Sequence, residues 1–426
     1  MMLNEEIFQF IWQFALFQST NLRLKDGNSV QVLNRGNKNF NSGPDFLNAK
    51  IQIGQTIWAG NVELHLKSSD WIKHGHDSDP AYQNIILHVV YEDDLVQQSL
   101  GNFPVLELKP YISSNLFENY RSLMESIPKL ACFRQVSKVP DIIKDLWLQR
   151  MLTEKWEQKF EIWSHILQKS QNNWSHLFYL VLAKAMGGKV NGEAMQTLAE
   201  HTPLKILAKH KDNLSHIESI LLGQAGLIPL NPQDPYEIEL KVHYAFFREK
   251  YKLEAIDARL WKFLRMRPAN FPTLRIAQLA RLVFEKEHLF SKVLQMEHPA
   301  AMFNEFNIGA SEYWQHHYVF QKKSSKSIKN IGATLQQNIW INVVAPLQYF
   351  YGKEMANQKL QFSATNLLEL CPPEKNSIIK TWNESGIFAK NAAETQALIH
   401  LYNNYCSSKK CLNCSIGHWI LKDNSN

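Results

Sequence analysis

The sequence has little cysteine, and what it has is unevenly placed: five residues in 426, three of them between Cys406 and Cys414. A secreted disulfide framework would spread an even number through a short chain, so this distribution suits a reducing, cytoplasmic setting. Long apolar runs are lacking too. The stretch MMLNEEIFQFIWQFALF carries Glu5 and Glu6 ahead of its apolar residues and is interrupted by Gln9 and Gln13, which suits neither a signal peptide nor a membrane span. No fixed period marks a solenoid. Extreme charge is also absent, the formal net value being +6. The charge is unevenly divided: residues 1–130 hold 10 Lys+Arg against 14 Asp+Glu, the remainder 36 against 26. A cation-holding part beside a phosphate-holding part would show this split, as would helices carrying many solvated lysines.

What is present is ample apolar material, 45% hydrophobic and 12% aromatic, enough for two or three filled cores. Asn4 can cap a helix with Ile7, Phe8, Ile11, Trp12, Ala15 and Leu16 as its buried stripe, and Glu5 and Glu6 suit its first turn. Strands are predicted over Val30–Leu33, Leu47–Ile53, Ile57–Leu66, Asn84–Glu92 and Val105–Leu108, with a short helix or loop excursion over Ser68–Tyr82. From Ser113 onward the pattern is helical, including Leu116–Ser126, Asp141–Gln168, Trp174–Met186, Gly192–Ala199, Pro235–Tyr251 and Thr273–Glu287. This gives an α/β domain over 1–130, a helical domain over 131–370 and a helical C-terminal segment, 371–426, with the cysteine motif.

The stretch from Asn41 to Asp70 reads as a β-hairpin that turns at Gly54-Gln55. Strand side chains alternate faces, so Glu63, His65 and Lys67 share one face, and Asp45 opens the partner strand within reach of Glu63 and His65. Two carboxylates beside a basic group suit Mg²⁺ or Mn²⁺, which polarises a phosphate and lowers the pKa of an attacking water. Charge inside an otherwise apolar strand is costly unless it has a task. Turn-capping carboxylates are the plainer alternative.

Pro44-Asp45, the hairpin and Glu63-Leu64-His65 resemble the proline–aspartate, acidic-x-lysine signature of restriction-endonuclease-like nucleases, with His65 where that family usually has lysine. The resemblance implies an α-β-β-β-α-β core, catalysis by Asp45, Glu63 and His65 or Lys67, and a nucleic-acid substrate. The His65 departure leaves open a non-catalytic nucleic-acid-binding or assembly factor. More broadly, NSGPDF, GNVELH, SSDW, ILHVVYEDD, RPANFPTLRIAQLA and YCSSKKCLNCSIG resemble an uncharacterised bacterial domain-of-unknown-function family over nearly the whole chain.

Four further groups carry chemistry. His65, His74, His76 and His88, with Asp70, Asp77 and Asp79 nearby, offer a zinc or manganese site for hydrolysis of a small substrate, with His88 expected to face the cleft more than His74 or His76. Arg265, Arg267 and Arg275 flank a proline-punctuated loop before a helix that Thr273 can cap, a phosphate cradle or a rigid connection. Lys322, Lys323, Lys326 and Lys329 read as a flexible basic tract. Cys406, Cys411 and Cys414 have spacing for zinc or an iron–sulfur cluster, with His418, Cys371 or Cys132 as fourth ligand, or are merely packed thiols.

Overall fold

The structure, a computed structural model, describes residues 4–76, 79–95, 103–125 and 130–423. Asp77 and Ser126 lie outside them. The chain forms two compact units: Met1–Leu148 with Lys380–Phe388 and Ile399–Asn426, and Gln149–Ile379 with Ala389–Leu398. The C-terminal cysteines thus belong to the same unit as the sheet. The class is mixed α and β, an N-terminal sheet followed by mostly helical chain.

The sheet contains β1 (Leu22–Arg23), β2 (Ser29–Asn34), β3 (Asn37–Lys38), β4 (Phe46–Ile53), β5 (Thr56–Lys67), β6 (Ile85–Glu92) and β7 (Val105–Glu107). Their spatial order is β1-β2-β4-β5-β6-β7, with β3 beside the start of β4. The strands up to β5 pair antiparallel, whereas β6 and β7 join in parallel. The expected hairpin is β4–β5, turning at Gly54 with φ +57°, a conformation open to glycine without a Cβ clash. Among its described residues, the connection from β5 to β6 holds a one-turn helix, α2 (Asp70–Lys73), and a 3₁₀ turn, Pro80–Tyr82. Polar, punctuated sequence there leaves no apolar stripe for a full crossover helix.

Helix α1 (Glu5–Phe14) is capped by Asn4, whose side chain accepts the Ile7 N–H at 3.1 Å, and packs on β5. Ile7, Phe8, Ile11 and Trp12 are fully buried. The helix stops at Ala15, which is left-handed at φ 50°, so Ala15 and Leu16 fall outside the expected stripe.

Strand β5 changes along its length, exposed at its start and buried on both faces from Val62 to His65, where β4 and β6 flank it. Gly60 marks the change: a Cβ there would lie 2.5 Å from Ile86 Cγ2 and 2.7 Å from the Asn84 carbonyl oxygen. Gly60→Ala should therefore lower stability by about 1–3 kcal/mol, the usual cost of overpacking, measured by denaturant unfolding. An unchanged midpoint would mean that β6 can move aside.

The second unit gathers its helices around one large apolar cluster. The two helices expected over Trp174–Met186 and Gly192–Ala199 are both present within Trp174–His201, separated by a non-helical break at Gly188 (φ 60°, ψ −159°). Thr273 does not cap its helix. That helix starts at Pro272, and the Thr273 hydroxyl donates to the Tyr318 carbonyl at 2.5 Å. Lys322 and Lys323 are ordered in a strand paired with His317–Val319, and Lys329 is buried, so the expected flexible tract is partly built into the fold. Among the described residues no helix is long and apolar enough to cross a membrane.

Candidate functional site

Asp45 and Glu63 meet. The Asp45 backbone N–H donates to Glu63 Oε2 at 2.9 Å, and Asp45 Oδ2 accepts the Leu64 N–H at 3.1 Å. Gln9 of α1 donates to Asp45 Oδ1 at 2.7 Å. A bulge sets this geometry. The β4–β5 register shifts between Phe46 and Ala49, and Asn48 within it is left-handed at φ 59°, a conformation asparagine tolerates. Such bulges re-aim neighbouring side chains.

Glu63 is 5% exposed and His65 1%. Glu63 and His88 are register partners on adjacent parallel strands. His65 lies between two other imidazoles, its Nδ1 2.9 Å from His88 Nε2 and its Nε2 3.0 Å from His74 Nδ1. Glu63 Oε1 is 3.5 Å from His76 Nε2 and 3.7 Å from His65 Nε2. His65, His74 and His76 each offer a nitrogen within 4.8 Å of the others, so the loop histidines, expected to be less involved than His88, join it. Tyr82 stacks on His76 and buried Trp71 backs the rings.

The electrostatics follow from burial. The carboxyls of Asp45 and Glu63 are pushed up, first by desolvation and, for Glu63, next by the Asp45 charge; Glu5 raises both further. Burial and neighbouring imidazoles push His65 down to about 3, and burial takes His88 to about 4. Both rings are neutral at pH 7, the form that ligates metals. A carboxyl with a raised folded pKa contributes stability at pH values below its unfolded pKa and loses it as pH climbs through the folded one. The lowered imidazoles act in the opposite sense below about pH 6.5, so the metal-free protein should lose stability as pH rises from there through about 8, the Glu63 value, and Mn²⁺ should restore more at the upper end. Thermal unfolding against pH, with and without Mn²⁺, reads this, and a flat metal-free profile would contradict it.

The other sequence candidates distribute as follows. Lys67 is exposed, its N–H bonded to Asp70 at 3.1 Å, so it does not complete the cluster. Asp70 pairs with Lys73 at 2.6 Å and Asp79 caps the turn at Ala81. Arg267 and Arg275 line one cleft of the second unit, which Arg265 does not. Glu5 and Gln9 are the partners that sequence reasoning undervalued. Their i, i+4 spacing puts both on one helix face, a polar notch beside the apolar stripe.

Cys406, Cys411 and Cys414 are free thiols, joined electrostatically by Cys132. Burial raises all four, and Cys132 and Cys406 are raised further by the other thiols. Two 3₁₀ turns, Cys406–Ser408 and Cys411–Asn413, present the C-terminal three. Gly417 lets the following helix close on them, since a Cβ there would lie 2.2 Å from the Cys411 carbonyl oxygen. His418 Nε2 is bonded to the Leu412 carbonyl and its ring packs on Phe10 and Phe14. Cys371 belongs to the second unit.

Fold and site together define a mixed-sheet protein with a partly buried cluster of carboxylates and histidines, three of whose imidazoles lie within reach of one another. Residues 5–377 match the model of the family described as Protein of unknown function (DUF2851), and the chain belongs to that family. No curated protein and no solved structure matches it.

Proposed function

We propose that the protein is a metal-dependent phosphodiester hydrolase acting on nucleic acid, with its reaction at Asp45, Glu63 and the adjoining histidines. The observation carrying this reading is the convergence of a buried carboxylate, Glu63, with the half-buried Asp45, bonded across a bulged hairpin with the neutral His65 imidazole beside them. The sheet order supports it in part: an antiparallel hairpin extended by parallel strands with α1 against β5 is what a restriction-endonuclease-like core would require, while the crossover helix of such a core is reduced to the one-turn α2.

Asp45 and Glu63 would hold Mg²⁺ or Mn²⁺, and such an ion supplies charge for the phosphate and an acidified water. Gln9 fixes the Asp45 carboxylate so that it can ligate without reorganising. Neutral His65 cannot replace a lysine's charge; its role is to orient the water or accept its proton. The test is cleavage of labelled DNA and RNA oligonucleotides with Mg²⁺ or Mn²⁺, expected to stop with EDTA. No cleavage of either by a metal-loaded protein would leave a non-catalytic binding or assembly factor instead.

A second reading is favoured by the proximity of His65, His74 and His76: a zinc ion held by imidazoles with Glu63, acting on a small substrate. Stoichiometric zinc that survives dialysis and is lost in His74→Ala would favour it over an exchangeable Mg²⁺ site.

Cys132, Cys406, Cys411 and Cys414 form a second centre in this proposal, a structural site for zinc or an iron–sulfur cluster. Four free thiols from two distant segments, Cys132 and Cys414 buried and Cys406 and Cys411 half-buried, suit such a group, because metal binding converts desolvated thiols into shared thiolate ligands.

A further inference from the structure

The second unit contains a cleft of about 800 Å³ lined by Met186 to Val190, the Arg267–Asn270 turn, Arg275 and residues 327–330, among others. None of its lining residues is acidic, while four are cationic: Lys189, Arg267, Arg275 and Lys329. Arg275 is 8% exposed and Lys329 7%. Arg275 donates to Gln278 Oε1 at 2.8 Å and to Asn270 Oδ1 at 2.7 Å, both neutral. Lys329 Nζ donates to the Trp314 and Gln315 carbonyls at 2.6 and 2.8 Å. Among the described residues, no carboxylate lies within ion-pair distance of any of the four. Buried charge without a counter-charge is costly, and a protein retains it where an outside group completes the pair.

The cleft is also preorganised. Gln278 accepts from Arg275 and donates to the Lys329 carbonyl at 2.9 Å, fixing the two buried cations' segments to one side chain. At the wall, Gly188 breaks the long helix in a conformation that suits glycine, and a Cβ there would meet open space. A new helical run begins at Lys189, and the leading N–H groups of such a run lack intrahelical acceptors and favour an anion. Beside these charges, Val190 and Ile328 are apolar, 53% and 79% exposed, a surface on which a sugar or base can rest.

We propose that this cleft is a binding site for phosphate esters of the nucleotide class, whether a free nucleotide or a segment of a nucleic-acid strand. Arg275 supplies a planar, fixed guanidinium for phosphate oxygens, while Lys189 and Arg267 at the rim draw the ligand in. The inference does not depend on hydrolysis at Asp45 and Glu63.

The test uses the full chain in EDTA, so that binding is read with hydrolysis silent. Two probes are measured by fluorescence anisotropy, a labelled single-stranded oligonucleotide and a labelled ADP. K189E/R267E alters two exposed side chains and should fold normally by thermal unfolding. It should weaken binding roughly tenfold or more and reduce the salt slope by about two, one for each phosphate contact removed. The same charge reversal at Lys205 and Lys359, exposed lysines outside the cleft, should leave affinity within about twofold. Arg275→Gln, which keeps hydrogen bonding but not charge, should act in the same direction as the rim pair. Loss of ADP binding in the rim variant identifies a free nucleotide; loss confined to the oligonucleotide identifies a strand. Binding of neither probe, or equal loss in the cleft and control variants, would overturn the proposal.

Discussion

Asp45→Asn and Glu63→Gln should each reduce Mg²⁺- or Mn²⁺-dependent cleavage by about 10³-fold or more, the scale on which charge-stabilising groups act in dry sites. The metal-free protein should meanwhile keep its melting temperature or gain slightly. The two effects have opposite signs for one reason. Burial and the Glu5 charge raise both carboxyls, and the Asp45 charge raises Glu63 further, so their charges are a liability to the fold and an asset only toward a cation. The amides can keep the local hydrogen bonds. In Asp45→Asn the new carbonyl accepts the Leu64 N–H, while the new NH₂ donates to a turned Gln9 amide. In Glu63→Gln the carbonyl accepts from Asp45, and the NH₂ faces imidazole nitrogens. Lys67→Ala should change little, because Lys67 is exposed. Parent-level cleavage by either amide variant, or collapse of the fold in both, would sink the assignment.

Cys132→Ser and Cys414→Ser should each strip a tightly bound metal from the purified protein and lower the stability of the first unit by several kcal/mol. Structural zinc binding in small domains is worth about 10–16 kcal/mol of apparent free energy, only part of which would reach a unit with its own apolar core. Oxygen in place of one sulfur removes a soft ligand and leaves three thiols to reprotonate. Elemental analysis identifies the metal, since visible charge-transfer absorption with stoichiometric iron marks a cluster and a colourless, zinc-bearing protein marks zinc. Cys371→Ser is the control and should retain the metal. A parent protein with neither metal, or serine variants as stable as the parent, would reduce the four cysteines to packed thiols.

Much of the sheet is legible in the sequence because its determinants are local. Alternating Leu47, Ala49, Ile51 and Ile53, the Gly54-Gln55 turn and the β-branched run of β6 specify strands without reference to anything distant. That Asp45 comes near Glu63 follows from hairpin pairing, although their exact contact is set by the bulge. The rest depends on non-local packing. His74 and His76 sit in a polar loop with no periodicity, so nothing in the sequence says that they fold back over His65. The Asn48 bulge needs the partner strand to be defined at all. Cys132 has no spacing relation to Cys406, and only the tertiary fold brings it there. Arg275 looks like a surface residue of an amphipathic helix, yet it is 8% exposed, because Gln278 and Asn270 give its guanidinium neutral partners inside the unit.

The first unit is discontinuous, with Met1–Leu148 and Ile399–Asn426 separated by most of the second. During translation the early strands leave the ribosome long before the residues that complete their unit, and helical segments with mostly local contacts can form in the meantime. A nascent chain therefore carries its acidic hairpin in an unfinished unit until residues 399–426 are released. The donors of the candidate site all lie between Glu5 and His88, so they are synthesised well before residues 399–426, which belong to the same unit.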